Sequence, residues 1–135
     1  MIRFMLDTNA CVDLIRGKAP RLFGRLQRLK VDEAAMSSIT LAELQYGVAK
    51  SSDPARHEDL LTQFCAPLAI MPFDSAAAET YGRMRAELER AGTPIGPLDT
   101  LIAAHALALD VTLVTGNERE FARVKGLHVE KWVQA

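Results

Sequence analysis

The stretch RFMLDTN, residues 3–9, sets how the rest of the chain is read. Residues 2–6 (IRFML) form a short apolar run of the kind that makes a strand buried on both faces. The run stops abruptly at Asp7, Thr8 and Asn9. A carboxylate at the end of a core strand is costly to desolvate unless something pairs with it. Asp7 is therefore a helix cap, half of an ion pair or a ligand for a cation, and the remaining sequence has to choose.

Outward from this stretch, strand-like and helix-like segments alternate. Residues 9–17 (NACVDLIRG) have helical spacing, with Gly17 as a stop, and residues 20–30 put Leu22, Leu26 and Leu29 on one helical stripe. A second strand is predicted over 34–38, a helix over 40–49, and another over 54–65 opened by Pro54. A third strand, 68–73, precedes a long helix capped by Asp74 or Ser75 that runs to residue 91. The turn-rich GTPIGP, 92–97, leads into a helix over 97–109 and a strand over 111–115. A short helix over 118–124 and a strand over 128–132 complete the chain. Alternation of this kind predicts an α/β fold: one domain over 1–135, with a central parallel sheet of four to five strands flanked by helices.

Bulk properties narrow the function. A net charge of −1 gives no global basic field, so a nucleic-acid partner has to be held by a local patch or through metal ions. There is no signal-like apolar core after MIRFML and no run long enough to span a membrane. Cys11 and Cys65 lack zinc-like spacing and read as reduced core thiols of a cytoplasmic protein. His57, His105 and His128 are scattered, which argues against zinc. The chain carries neither a phosphate-binding loop signature nor a dinucleotide fingerprint.

The acids fall in a pattern. In open parallel sheets, ligands bind at the carboxyl ends of the strands. Asp7 ends the first strand, Glu43 follows the second, Asp99 opens the helix after GTPIGP, and Thr115, Asn117, Glu118 and Glu120 follow the fourth. Singly, each acid has a structural explanation: Thr40 to Glu43 has capping-box spacing, Asp99 suits a helix N-terminus, and Asp7 can accept turn amides. Together on one rim they repel unless a cation lies among them. Oxygen ligands without histidine or thiolate suit Mg²⁺ or Mn²⁺, which polarise phosphoryl oxygens and activate water.

Four ordered segments carry a family likeness: FMLDTN (4–9), SSITLAELQYG (37–47), GTPIGPLDTLIAAHA (92–106) and LVTGNEREFARVKGL (113–127). The chain resembles the PIN-domain ribonucleases of the VapC toxin group, close to the subgroup that cuts initiator tRNA in the anticodon region. The resemblance implies a PIN-like fold and a Mg²⁺- or Mn²⁺-dependent endoribonuclease that acts as the toxin of a toxin–antitoxin pair. It also implies tRNA as substrate, a VapB-type antitoxin as partner, and a homodimer. Asp7, Glu43 and Asp99 match the three family acids and are expected to hold the metal. The position of the fourth acid is Asn117, a departure, so Glu120 is expected to supply the missing charge and Asn117 a neutral contact. Thr8, Asn9, Thr115 and Asn117 are expected to orient the carboxylates, and His105 to be a satisfied buried histidine.

One further segment stands out. Arg16, Lys18, Arg21, Arg25, Arg28 and Lys30 form a run of cations with no acid among them. They read as RNA-backbone contacts or, equally, as the solvated face of an amphipathic helix open to a protein partner. A PIN domain that holds RNA or a partner without cutting is the alternative function; a structure-selective DNA nuclease is a weaker one, since no helical arch or clamp is present.

Overall fold

A computed structural model describes residues 1–132. The predicted single domain over 1–135 thus runs three residues past the described chain. Five strands, β1 (Phe4–Leu6), β2 (Ala34–Ser37), β3 (Ala69–Met71), β4 (Thr112–Val114) and β5 (Val129–Glu130), form one sheet in the order β3-β2-β1-β4-β5. Every pairing is parallel. The helices are α1 (Thr8–Ile15), α2 (Pro20–Gln27), α3 (Ser38–Ala49), α4 (Pro54–Cys65), α5 (Ser75–Arg90), α6 (Pro97–Leu109) and α7 (Glu118–Phe121).

The strand order has a direct consequence for the site. From β1 the chain steps outward through β2 to β3, then returns through α5 and α6 to place β4 on the other side of β1. The chain reverses direction between β1 and β4, so their carboxyl ends form the crevice where open parallel sheets bind ligands. Asp7 and Thr115 are the residues that leave these two strands, and the Asp7 amide donates to the Val114 carbonyl at 3.0 Å.

Alternation along β1 explains the layers. Phe4 and Leu6 pack into one core with Leu22, Leu44, Leu61 and Trp132, while Met5 packs into the opposite core with Met84, Ile102, Leu113 and Phe121. A strand flanked by helices on both faces is apolar throughout, which is why Phe4, Met5 and Leu6 are apolar and buried without alternation, while exposed Arg3 lies before the strand. The observed strands are shorter than the apolar runs because pairing ends where the chain turns into the following helix; β1 stops at Leu6, since Asp7 already caps α1.

Helix limits follow local chemistry. Pro54 and Pro97 open α4 and α6 where a missing amide costs nothing, and Asp74 caps α5 by accepting from the Ala77 amide at 3.0 Å. Gly17, at φ +69°, reverses the chain after α1, the left-handed position glycine fills without strain. Among the described residues no helix is long and apolar enough to cross a membrane.

Leu113 is fully buried at the centre of β4, between β1 and β5. Leu113→Ala should therefore lower the unfolding free energy by about 3 kcal/mol in urea titrations, the cost of lost transfer energy plus a cavity. A loss below about 1 kcal/mol would show that β4 is not packed between β1 and β5 as described here.

Candidate active site

Asp7 is 3% exposed, and both of its oxygens are engaged. One accepts from the Ala10 amide at 2.8 Å, making Asp7 the cap of α1; the other accepts from the Thr115 hydroxyl. Two of the readings open to Asp7 therefore coexist: it is a cap, and it is also a buried charge with no cationic side chain bonded to it. Burial pushes its carboxyl above the ordinary range, the two hydrogen bonds pull it back, and the charges of Asp13 and Glu43 push it up again.

Thr115 extends the network. Its hydroxyl oxygen accepts from the Asn117 amide at 2.9 Å, and the Asn117 side-chain Nδ2 donates to Glu120 Oε2 at 3.0 Å. The other Glu120 oxygen accepts from the Gly96 amide at 3.0 Å, at the N-terminal end of α6. This amide above all, with Asn117, holds the Glu120 carboxyl below its usual value. Asp99, in the first turn of α6, lies close enough to Glu120 for the two carboxyls to be electrostatically coupled. A methyl group on Gly96 would stand 3.7 Å from Glu120 and 3.8 Å from Asp99, so the two carboxylates bracket this glycine.

Glu43 reaches the same rim from α3. Its Oε1 accepts from the Thr8 hydroxyl at 2.8 Å, and that hydroxyl lies 3.2 Å from the buried Thr40 hydroxyl. The capping-box explanation of Thr40 and Glu43 is overturned. The cap of α3 is Ser37, whose hydroxyl accepts from the Ile39 amide at 3.0 Å, because β2 runs into α3 without a loop. Glu43 is thus released to face Thr8.

The four acids are mutually coupled. Asp99 is pushed up to about 6, first by burial and then by the charges of Glu120, Asp7 and Glu43. Among the described residues, no group of three or more His, Cys, Asp or Glu side chains is already drawn together closely enough to hold a metal ion. The geometry is an acid-lined crevice, held by hydroxyls and amides, at the switch point of the sheet.

The PIN domain matches residues 4–127. The tRNA(fMet)-specific endonuclease VapC of Salmonella typhimurium is 42% identical over 132 residues, covering 98% of this chain and 99% of the relative. Ribonuclease VapC2 of Rickettsia felis is 44% identical over 130 residues, covering 96% and 97%. DNA-bound VapBC from Salmonella typhimurium superposes with a TM-score of 0.93 at 42% identity, covering 98% of this chain and 99% of that one. The chain belongs to the VapC family of PIN-domain proteins.

Within this VapC chain the acids expected from sequence, Asp7, Glu43, Asp99 and Glu120, come together, and Thr8, Thr115 and Asn117 bind them directly. Asn9 lies on the same rim without a carboxylate partner among the described residues, lining a neighbouring pocket. His105 is buried, with Nδ1 2.8 Å from Ser37 Oγ and Phe73 against its ring, so it serves packing. Burial raises the Cys11 thiol well above its usual range, which keeps it neutral beside Asp7.

The cations of the basic run have different neighbours. Arg25 bonds Glu130 at 3.1 Å and lies 4.5 Å from the Trp132 ring centroid. Arg16 and Lys18 instead line a groove of about 700 Å³ between α1, α3 and α4, with Lys50 and Arg56. Sequence reasoning missed the Gly96 amide, Thr40 and Asp13. Gly96 carries a signal in hindsight: it precedes a proline-opened helix, where free amides collect.

The raised Asp99 carboxyl makes a signed prediction for chelator-treated protein. A carboxyl at about 6 in the fold and near 3.8 unfolded binds a proton more tightly when folded, so its ionisation destabilises the fold as pH rises through that window. Asp99→Asn should therefore raise the melting temperature at pH 7.5 and raise it by clearly less at pH 4.5, near the lower edge of the window. A larger gain at the lower pH would contradict the coupling.

Proposed function

We propose that this VapC chain is a divalent-metal-dependent endoribonuclease that cuts tRNA, with the initiator tRNA anticodon region as the target, and works in the cytoplasm as the toxin of a toxin–antitoxin pair. The observation that carries this reading is the buried, doubly hydrogen-bonded Asp7 facing Glu43, Asp99 and Glu120 across the switch-point crevice. The donor set consists of carboxylate oxygens supported by hydroxyls and amides, with the nearby thiol neutral and the nearby imidazole turned to Ser37. Such a set fits Mg²⁺ or Mn²⁺. Asp7, Glu43 and Asp99 would hold the ion, with Glu120 adding negative charge.

When bound, a divalent cation lowers the pKa of water and offsets charge on the phosphoryl oxygens. The chain's own groups prepare that chemistry. Thr115 and the Ala10 amide fix both oxygens of Asp7, so it meets an incoming ion or phosphate without reorganising. Thr8 fixes Glu43, and Asn117 with the Gly96 amide fixes Glu120. Asn117 thus fills the place of a fourth acid by orienting the carboxylate three residues on.

Arg16, Lys18, Arg21 and Arg28, exposed on α1–α2, are the cations we assign to the RNA backbone. Relatives are solved as VapBC assemblies from Rickettsia felis and Salmonella typhimurium. We assign the groove between α1, α3 and α4, with its apolar floor of Val12, Ile15, Leu44 and Leu61, to the antitoxin. A VapB-type segment lying there covers Arg16 and Lys18, so inhibition and RNA binding compete. A homodimer completes the expected assembly.

The products test the chemistry. Attack by water leaves a 5′-phosphate and a 3′-hydroxyl, whereas attack by the RNA 2′-hydroxyl leaves a 2′,3′-cyclic phosphate. End-mapping after cleavage in Mn²⁺ should give 5′-phosphates, excess EDTA should stop cleavage, and Asp7→Asn should bind RNA while cutting at least a hundredfold more slowly, in the range of lost charge stabilisation. Cyclic phosphates, or full activity in EDTA, would overturn the reading.

A further inference from the structure

A second pocket, of about 310 Å³, opens beside the acid crevice. Asn9, Asp13, Leu22, Thr115, Asn117 and Trp132 line it. We propose that this pocket receives the nucleobase next to the scissile phosphate and selects a base that carries an exocyclic amine, adenine, cytosine or guanine, against uracil. The proposal rests on the ribonuclease reading above and adds to it the specificity element.

Size comes first. The volume lies at the low end for ligand pockets and accommodates a flat ring system. Position comes next. Thr115 is a wall of the pocket and also the hydroxyl that holds Asp7; Asn117 is a wall and also the amide that holds Glu120. A nucleotide whose phosphate meets the acids therefore has its base within reach of this pocket.

Charge then decides the occupant. No lysine or arginine lines the pocket, and Asp13 repels a phosphate there. A carboxylate accepts hydrogen bonds and donates none when ionised. Asn117 uses one N–H of Nδ2 on Glu120 and keeps its Oδ1 as an acceptor. Asp13 makes no hydrogen bond through its side chain among the described residues, and it is exposed on α1. An acceptor-rich pocket matches the N–H₂ groups of adenine, cytosine or guanine; uracil presents two carbonyls flanking one N–H and meets acceptor with acceptor. Carboxylate recognition of an amino group on a base edge is established chemistry.

The far wall is rigid. The Trp132 indole N–H donates to Glu130 at 2.9 Å, Phe4 packs edge-on at 4.8 Å, and Arg25 covers the ring at 4.5 Å. With its polar handle and its neighbours fixed, Trp132 acts as a rigid side of the slot. Asn9, without a carboxylate partner among the described residues, supplies a donor for a ring nitrogen.

The test uses a single-stranded RNA whose scissile bond is first located by end sequencing after cleavage with Mn²⁺. The two flanking nucleotides are then varied through all four bases, and kcat/KM is measured for wild type, Asp13→Asn and Asp13→Ala. At one flanking position uridine should lower kcat/KM about tenfold or more for wild type. Asp13→Ala should bring the four bases within about twofold by slowing the amino-bearing substrates. Removing the amine itself, with purine riboside for adenosine or pyrimidin-2-one riboside for cytidine, should cost wild type the same factor and the Asp13→Ala variant almost nothing. Equal use of all four bases by wild type, or a bias that survives in both Asp13 variants, overturns the pocket assignment while leaving the ribonuclease reading intact. A variant that slows all four substrates equally, with altered Mn²⁺ dependence, also overturns it and makes Asp13 part of the field around the acids. Failure of wild type to cut any RNA in Mn²⁺ sinks the ribonuclease reading itself and the pocket assignment with it.

Discussion

A carboxylate that is 3% exposed and has no cationic partner bonded to it is the constraint around which the rest of the structure is arranged. Burying an ionised carboxyl is costly, and two hydrogen bonds offset only part of that cost, as the raised Asp7 carboxyl shows. The Ala10 amide and the Thr115 hydroxyl come from opposite sides of the switch point, one from α1 and one from the end of β4. Asp7 therefore ties the first strand of the chain to the fourth. The bond holding it also lies at the head of a series, Thr115 to Asn117 to Glu120 to Gly96, that sets the position of the farther acids.

Topology and chemistry depend on each other here. The sheet order β3-β2-β1-β4-β5 is what brings Asp7, which follows β1, against Thr115, which follows β4. The long return through α5 and α6 is what delivers Asp99 and the Gly96 amide to the same rim. A site assembled from strand and helix ends, rather than from one long loop, keeps its acids within a fixed geometry even though they repel one another. Burial first, and then that repulsion, push the Asp99 carboxyl up to about 6. Acids perturbed by burial and by like charges in a cleft are a common feature of functional sites.

Much of this was legible in the sequence, and the reasons for success and failure are physical. The strands within 2–6 and 111–115 were readable because strands covered on both faces are rich in apolar and β-branched residues without polar alternation, and α4 and α6 matched their expected limits because proline fixes a helix start. The acids could be assigned to one rim because parallel strands place their carboxyl ends together. What the sequence could not reveal was hydrogen-bond partnership at long range. Thr40 and Glu43 have capping-box spacing, yet the direct passage from β2 into α3 gives the cap to Ser37 and frees Glu43 for Thr8, 35 positions away. Arg25 belonged to a uniform basic run in sequence, and only packing shows it held against Glu130 and Trp132 at the other end of the chain. Backbone amides such as that of Gly96 carry no side-chain signal at all.

The central claim is that the acids around Asp7 form a divalent-cation site prepared by the Thr115 bond. Anomalous diffraction at the manganese edge, from crystals of this chain grown with Mn²⁺, tests it most directly. The account predicts a peak about 2 Å from oxygens of both Asp7 and Asp99, a coordination distance for a hard divalent ion, and its loss in Asp99→Ala crystals. A peak elsewhere on the molecule, or none in the crevice at millimolar Mn²⁺, would contradict it.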